Sequence, residues 1–249
     1  MLRRRWIDVK ENLPPIVRSI ETVALTQKQQ DEIEELAAKM RFQTGGAKTQ
    51  VGILARLRRL FAEAKLAHGI ETIAGTVRDG HGCLAWVWHR DIATRLAEKL
   101  RALGVLVYGP ISGGMNGKER EQIIERARAD KGTHVLIATL ASLGVGVNLS
   151  FYSHEIMIEL DWSPPIIQQA EARPFDGIQP VSATYLVANC PTDEALVEAL
   201  LSKLENQKAL GLSAGSGDVS SVLQKTFKLE GQTLDALADA LTANAEGEG

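Results

Sequence analysis

The sequence predicts an α/β fold in which a doubly wound parallel sheet carries helices on both faces, with a helical segment ahead of it. Three observations carry that expectation. From Cys83 onward, short apolar runs alternate with amphipathic stretches of helical length. The runs Val135-Leu136-Ile137 and Ile156-Met157-Ile158 are apolar at every position, as strands buried on both sides must be. And 249 residues, 45% apolar and 24% charged, suffice for a sizeable core in one large domain or two small ones.

The chain opens on a basic arm, Met1 to Trp6, and a turn stiffened by Pro14-Pro15. From Leu25 to about Lys65 the pattern is helical. Thr26 is a candidate N-cap with Gln29 at the capping-box position, and Ile33, Leu36, Ala37 and Met40 follow at helical spacing. Gly45-Gly46 interrupts this pattern, which resumes from Gln50 with Leu54, Leu57, Leu60 and Phe61 on one face. A Gly-rich loop is expected from Gly75 to Gly82. Strands are expected at Cys83 to Trp88, Val105 to Tyr108, His134 to Ala138, Glu155 to Leu160 and Thr184 to Ala188. Helices are expected at Ile92 to Leu103, Gly117 to Ala129, Pro165 to Ala172 and Asp193 to Leu210. Beyond Gly211 the composition turns Gly/Ser-rich and then weakly helical, which suits a largely flexible tail over 212–249.

Several function classes drop out on composition. No apolar run approaches the ~18 residues of a membrane span, and charges at Asp8, Lys10 and Glu11 leave no signal-peptide stretch. Cys83 and Cys190 stand apart, without the spacing of a disulfide framework or a zinc site. A reduced, cytoplasmic protein is expected. Its net charge of -3 is uneven: through Lys131 there are 23 basic and 16 acidic residues (+7), and afterwards 5 and 15 (-10). A basic first half suits a polyanion partner, and it equally suits solvated helix faces with acids interleaved. No GxxxxGK[ST] phosphate loop is present. Gly45-Gly46-Ala47-Lys48-Thr49 imitates its end but lies between helices, and Asp31-Glu32 follows a polar run instead of ending an apolar strand. By the usual means the chain cannot hold Mg-ATP alone.

Four stretches carry candidate chemistry. Trp86-Val87-Trp88-His89-Arg90 ends a buried strand in a polar pair, where Arg90 and the amides of a helix start can meet phosphate. Ile111-Ser112-Gly113-Gly114, with Arg120 seven residues after Gly113, offers a Gly pair whose backbone can approach an anion. Ala138-Thr139 runs through Gly144-Val145-Gly146-Val147-Asn148 to Leu149. Asp161-Trp162-Ser163-Pro164 precedes Gln169-Ala170-Glu171-Ala172-Arg173. Taken singly, each is also a strand end or a simple turn. In this order and spacing they resemble the second, RecA-like lobe of superfamily-two DNA translocases of the Swi/Snf type, nearest the fork-remodelling, annealing-helicase branch. The resemblance runs from about Met1 to Leu212.

That resemblance implies a division of the chain and a set of roles. Residues 1–24, with Leu13-Pro14-Pro15, are similar to the leader joining the family's two lobes; 25–80 form a helical segment; 81–211 form the RecA-like lobe. His89, Arg90, Gly113, Gly114, Arg120 and Thr139 would contact the DNA backbone. Gly144, Gly146, Asn148, Gln169 and Arg173 would lie near nucleotide, with Arg173 the catalytic arginine. Val181 to Ala188, Thr192-Asp193-Glu194 and Lys203 look like the family's last strand and brace helix. The family's second arginine is Asp176 here, in Arg173-Pro174-Phe175-Asp176-Gly177-Ile178-Gln179. An aspartate facing a γ-phosphate repels it, and a lost arginine finger costs ~10³-fold or more in rate. The implied function is the C-terminal lobe of a split ATP-dependent translocase. ATP and Mg would be held mainly by a separate phosphate-loop lobe, the track would be double-stranded or forked DNA, and the setting would be a nucleoid or a phage-infected cytoplasm. The alternative is a non-enzymatic DNA-binding or regulatory module derived from such a lobe.

Overall fold

The computed structural model describes residues 16–42, 46–142, 147–198 and 200. Within them, strands β1 (Ile16–Val23), β2 (Cys83–Val87), β3 (Val107–Ile111), β4 (Val135–Thr139), β5 (His154–Met157) and β6 (Val181–Ala188) form one sheet. Its order is β1-β6-β5-β2-β4-β3 and every pairing is parallel. The pleat explains the uninterrupted apolar runs, because successive side chains enter opposite cores. Cys83, Ala85 and Val87 face a core shared with α2 (Ala47–Arg78) and α3 (Arg90–Ala102), through Ile73, Ile92, Leu96 and Leu100. Leu84 and Trp86 face the other core, closed by α4 (Gly117–Ala129), α5 (Pro164–Glu171) and the helical residues 191–198. The expected parallel sheet with helices on both faces is therefore present.

Ahead of it, α1 (Gln27–Arg41) starts as its capping pattern requires: Thr26 accepts from the Gln29 amide at 3.3 Å, and the Gln29 side chain accepts from the Thr26 amide at 2.9 Å. Its buried stripe, Ile33, Leu36, Ala37 and Met40, packs with Leu54, Leu57 and Phe61 of α2 in a third cluster that also takes in Trp162 and Cys190. This cluster fixes the helical hairpin to the end of the sheet where the strands finish.

Two elements differ from the sequence reading. Helix α2 runs 32 residues to Arg78, so the expected Gly75–Gly82 loop shrinks to its second half. A mid-helix glycine costs about 1 kcal/mol, and burial of Ile73 and Ala74 against the sheet outweighs it. Within the same helix Gly69 permits a close approach to the sheet, since a Cβ there would stand 2.9 Å from Ile158 Cδ1. The second difference is β1, a strand inside the segment read only as a leader. It pairs with β6 along its whole length, Ile16 opposite Val181 and Val23 opposite Ala188. Several strand limits also shift: β3 begins at Val107 and β6 at Val181, and β5 ends at Met157. The leader up to residue 15, Lys203 and the tail 212–249 lie outside the described residues.

Candidate functional site

Because all strands are parallel, the segments that follow them emerge along one edge of the sheet. There, the ends of β2, β3 and β4 are tied together. The Leu140 amide donates to Val87 O at 2.8 Å, and Ser142 Oγ donates to Thr139 O at 2.7 Å and to Ile111 O at 3.0 Å. His89 caps α3 and is half-buried, and Arg90 is its first residue and exposed. Across the edge, Gly113 and Gly114 make the turn after β3, with Gly114 at φ +81°. Arg90 Nη2 lies 3.2 Å from where a Cβ on Gly113 would stand, so the basic side chain rests on the bare glycine backbone. On α4, whose N-terminus Asn116 caps, Arg120 is half-buried and its Nε has no hydrogen-bond partner. Thr139 ends β4 with 4% of its surface exposed.

The described candidates for nucleotide chemistry, Asn148, Gln169 and Arg173, lie on α5, just after it, and on the 147–149 segment. Arg173 follows α5, 9% exposed. Its carbonyl accepts from the Leu149 amide at 3.0 Å and its Nη1 donates to Val147 O at 3.4 Å. Burial lowers the pKa of this guanidinium. Asn148 is exposed; its Oδ1 accepts from the Ser150 amide at 2.8 Å and its carbonyl from Arg128 of α4 at 2.9 Å. Gln169 is exposed on α5. The structure thus joins Arg173 to the 147–149 segment, and Gly144 and Gly146 lie outside the described residues. Asp176 turns back on its own loop, Oδ1 accepting from the amides of Ile178 at 2.8 Å and Gln179 at 3.4 Å.

Around these groups stand residues that sequence reasoning passed over. Glu159, 4% exposed, accepts from the amides of Trp88 and His89, each at 3.0 Å, and from His89 Nδ1 at 2.5 Å. Arg58 of α2 stands over two indoles, 4.0 Å from the Trp88 ring centroid and 4.5 Å from that of Trp162. At the end of α5, Glu171 receives both nitrogens of a fork from Arg18 of β1 at 2.6 Å and the Tyr185 hydroxyl at 2.5 Å. Glu155 is fully buried, accepts from Trp86 Nε1 at 3.0 Å, and has its carboxyl pushed up to about 8 by burial, with Glu171 adding to the shift. An acid within an otherwise apolar run, Glu155 to Leu160, was the available signal for Glu155 and Glu159. Part of the basic first half is neutralised internally: Arg56 pairs with Glu32, and Arg59 with Asp91 and Glu63, the latter also held by Arg95.

Comparison with known proteins gives a consistent result. Residues 64–175 match the family model described as helicase conserved C-terminal domain. The chain is 25% identical over 219 residues to the SWI/SNF-related matrix-associated actin-dependent regulator of chromatin subfamily A-like protein 1 of Xenopus tropicalis, covering 86% of this chain and 23% of that protein. It spans about a quarter of the length of that relative. The Sulfolobus solfataricus SWI2/SNF2 ATPase core, solved with double-stranded DNA, superposes with a TM-score of 0.64 at 20% identity, over 88% of this chain and 51% of that one. The C-terminal domain of the same ATPase gives 0.58 at 18% identity, over 87% and 100%.

Proposed function

We propose that this chain, a C-terminal RecA-like lobe of the Swi/Snf-type superfamily-two translocases, supplies half of a DNA track and presents Arg173 to ATP held by a separate phosphate-loop lobe. One observation carries the DNA half of this reading: Arg90, Gly113, Gly114 and the helix bearing Arg120 converge at the edge where β2 and β3 end. A cation resting on bare glycine backbone, beside a helix N-terminus, is suited to a phosphodiester and carries no base-reading geometry. The double-stranded DNA bound to the structurally similar Sulfolobus core supports the same reading.

For the nucleotide half, the residues fit an arginine that meets phosphate. Arg173 is 9% exposed and burial lowers its pKa, so the group is held in place within the protein with a guanidinium fork suited to phosphoryl oxygens. ATP with its Mg, when bound by the other lobe, would supply the transferable phosphoryl group. Among the described residues no cluster of His, Cys, Asp or Glu is arranged to hold a metal. In this chain Arg173 would stabilise spreading phosphoryl charge, and its bonds to residues 147 and 149 would keep it in register with the segment leading back to the DNA edge. The non-enzymatic, regulatory reading is favoured by one feature, the aspartate at 176 in place of a second arginine.

The test is a salt titration of binding to a short duplex. Affinity should fall steeply with salt and vary little with base sequence. Arg90→Ala and Arg120→Ala should each weaken binding and reduce the slope of log K against log salt by about 1. Affinity that stays flat between low and physiological salt would remove the DNA half of the proposal.

A further inference from the structure

Trp88 and His89, between β2 and α3, lead into Arg90, and their geometry is set from outside the segment. We infer that Glu159 is the positioning residue for this DNA contact, with Arg58 as its second support; the inference rests on the DNA-binding reading above and specifies how that site is held. The carboxylate of Glu159 comes from the end of β5, the neighbouring strand. It takes the two consecutive amides of Trp88 and His89 on one oxygen and His89 Nδ1 on the other. Three donors on one buried carboxylate fix both backbone and ring: the peptide plane entering α3 is oriented, and His89 must turn Nε2 away from Glu159.

Arg58 adds a second hold on the same exit. Its guanidinium stands over the rings of both Trp88 and Trp162, so a residue on α2 ties the β2 exit to the segment after β5. Burial lowers its pKa, and the charges of Asp161 and Glu159 act the other way. Arg90 is the next residue beyond this clamped pair, exposed and laid on Gly113. Without the clamp, the α3 start that aims Arg90 across the strand ends would lose its three external acceptor bonds. Phosphate affinity at this edge is therefore a property of Glu159 as much as of the basic residue that makes the contact. Neither Glu159 nor Arg58 needs to touch DNA.

A double-mutant cycle on the full 249-residue chain decides this, with a fluorescein-labelled duplex as probe and thermal melting as the control for folding. Arg90→Ala should weaken binding roughly 5–10-fold. Glu159→Ala should weaken it by a similar factor. The double variant should bind no more weakly than Arg90→Ala alone, because one contact has been removed twice. Should Glu159→Ala fail to fold, Glu159→Asp decides instead: it keeps the charge but shortens the reach, and its loss must likewise vanish in the Arg90→Ala background. Losses that multiply, or a folded Glu159 variant that binds as tightly as the parent, would overturn the inference while leaving the DNA reading intact. An Arg90→Ala variant with parental affinity would remove the DNA contact itself, and the positioning role with it.

Discussion

Glu155 shows how a single buried side chain sets a condition on the whole fold. Its carboxyl lies at the centre of the sheet, raised from 4.5 to about 8, first by burial and then by the charge of Glu171. Between those values the unfolded chain releases this proton and the folded chain keeps it. Folding then takes up a proton, and stability must fall as pH rises through that window. Glu155→Gln keeps an acceptor for Trp86 Nε1 and cannot ionise. It should match the parent near pH 5 and exceed it near pH 8, by roughly 2–4 kcal/mol on this argument. Melting curves at the two pH values check this. Equal destabilisation at both would mean that the carboxylate is needed as an anion.

The turn after α5 is the element on which the catalytic reading depends most. Asp176 uses one carboxylate oxygen to close the turn at Ile178 and Gln179, and Gly177 sits beside it at φ +73°. The departure from the family's second arginine is thus also a local structural solution, since an arginine offers no acceptor there. Asp176→Asn retains the accepting oxygen and should leave the melting temperature nearly unchanged. Asp176→Arg should cost about 1 kcal/mol through the lost bonds. Restoring the arginine pair therefore requires rebuilding the turn as well as changing the residue. Equal melting temperatures for the two variants would show that the turn holds without an accepting oxygen at position 176.

At the scale of the molecule, the DNA candidates occupy the edge where the strands end, and Arg173 lies just after α5, bonded to residues 147 and 149. The isolated 249-residue chain should release no phosphate from ATP above background, with or without DNA, since its sequence carries no GxxxxGK[ST] phosphate-loop pattern. Turnover that persists through purification and disappears in Arg173→Ala would reveal a nucleotide site within this chain.

The alternation of apolar runs and amphipathic stretches, by itself, determined the parallel sheet and its two helical layers, because each strand is buried on both sides and each helix on one. The capping pattern at Thr26 and Gln29 was equally legible, being a matter of four neighbouring residues. The segment His89-Arg90 and the Gly113-Gly114 turn could be picked out one by one, but their meeting could not. It depends on β2 and β3 flanking β4, an order that only the folded sheet decides. The same holds for β1, whose mixed exposure gives little periodic signal and whose partner Thr184 is 165 residues from Ser19. Arg18 and Glu171 are 153 residues apart, and His89 and Glu159 are 70 apart. Local pattern records which face of an element is buried. Which distant carboxylate completes an amide or a guanidinium is fixed by strand neighbours, and so by the tertiary structure alone.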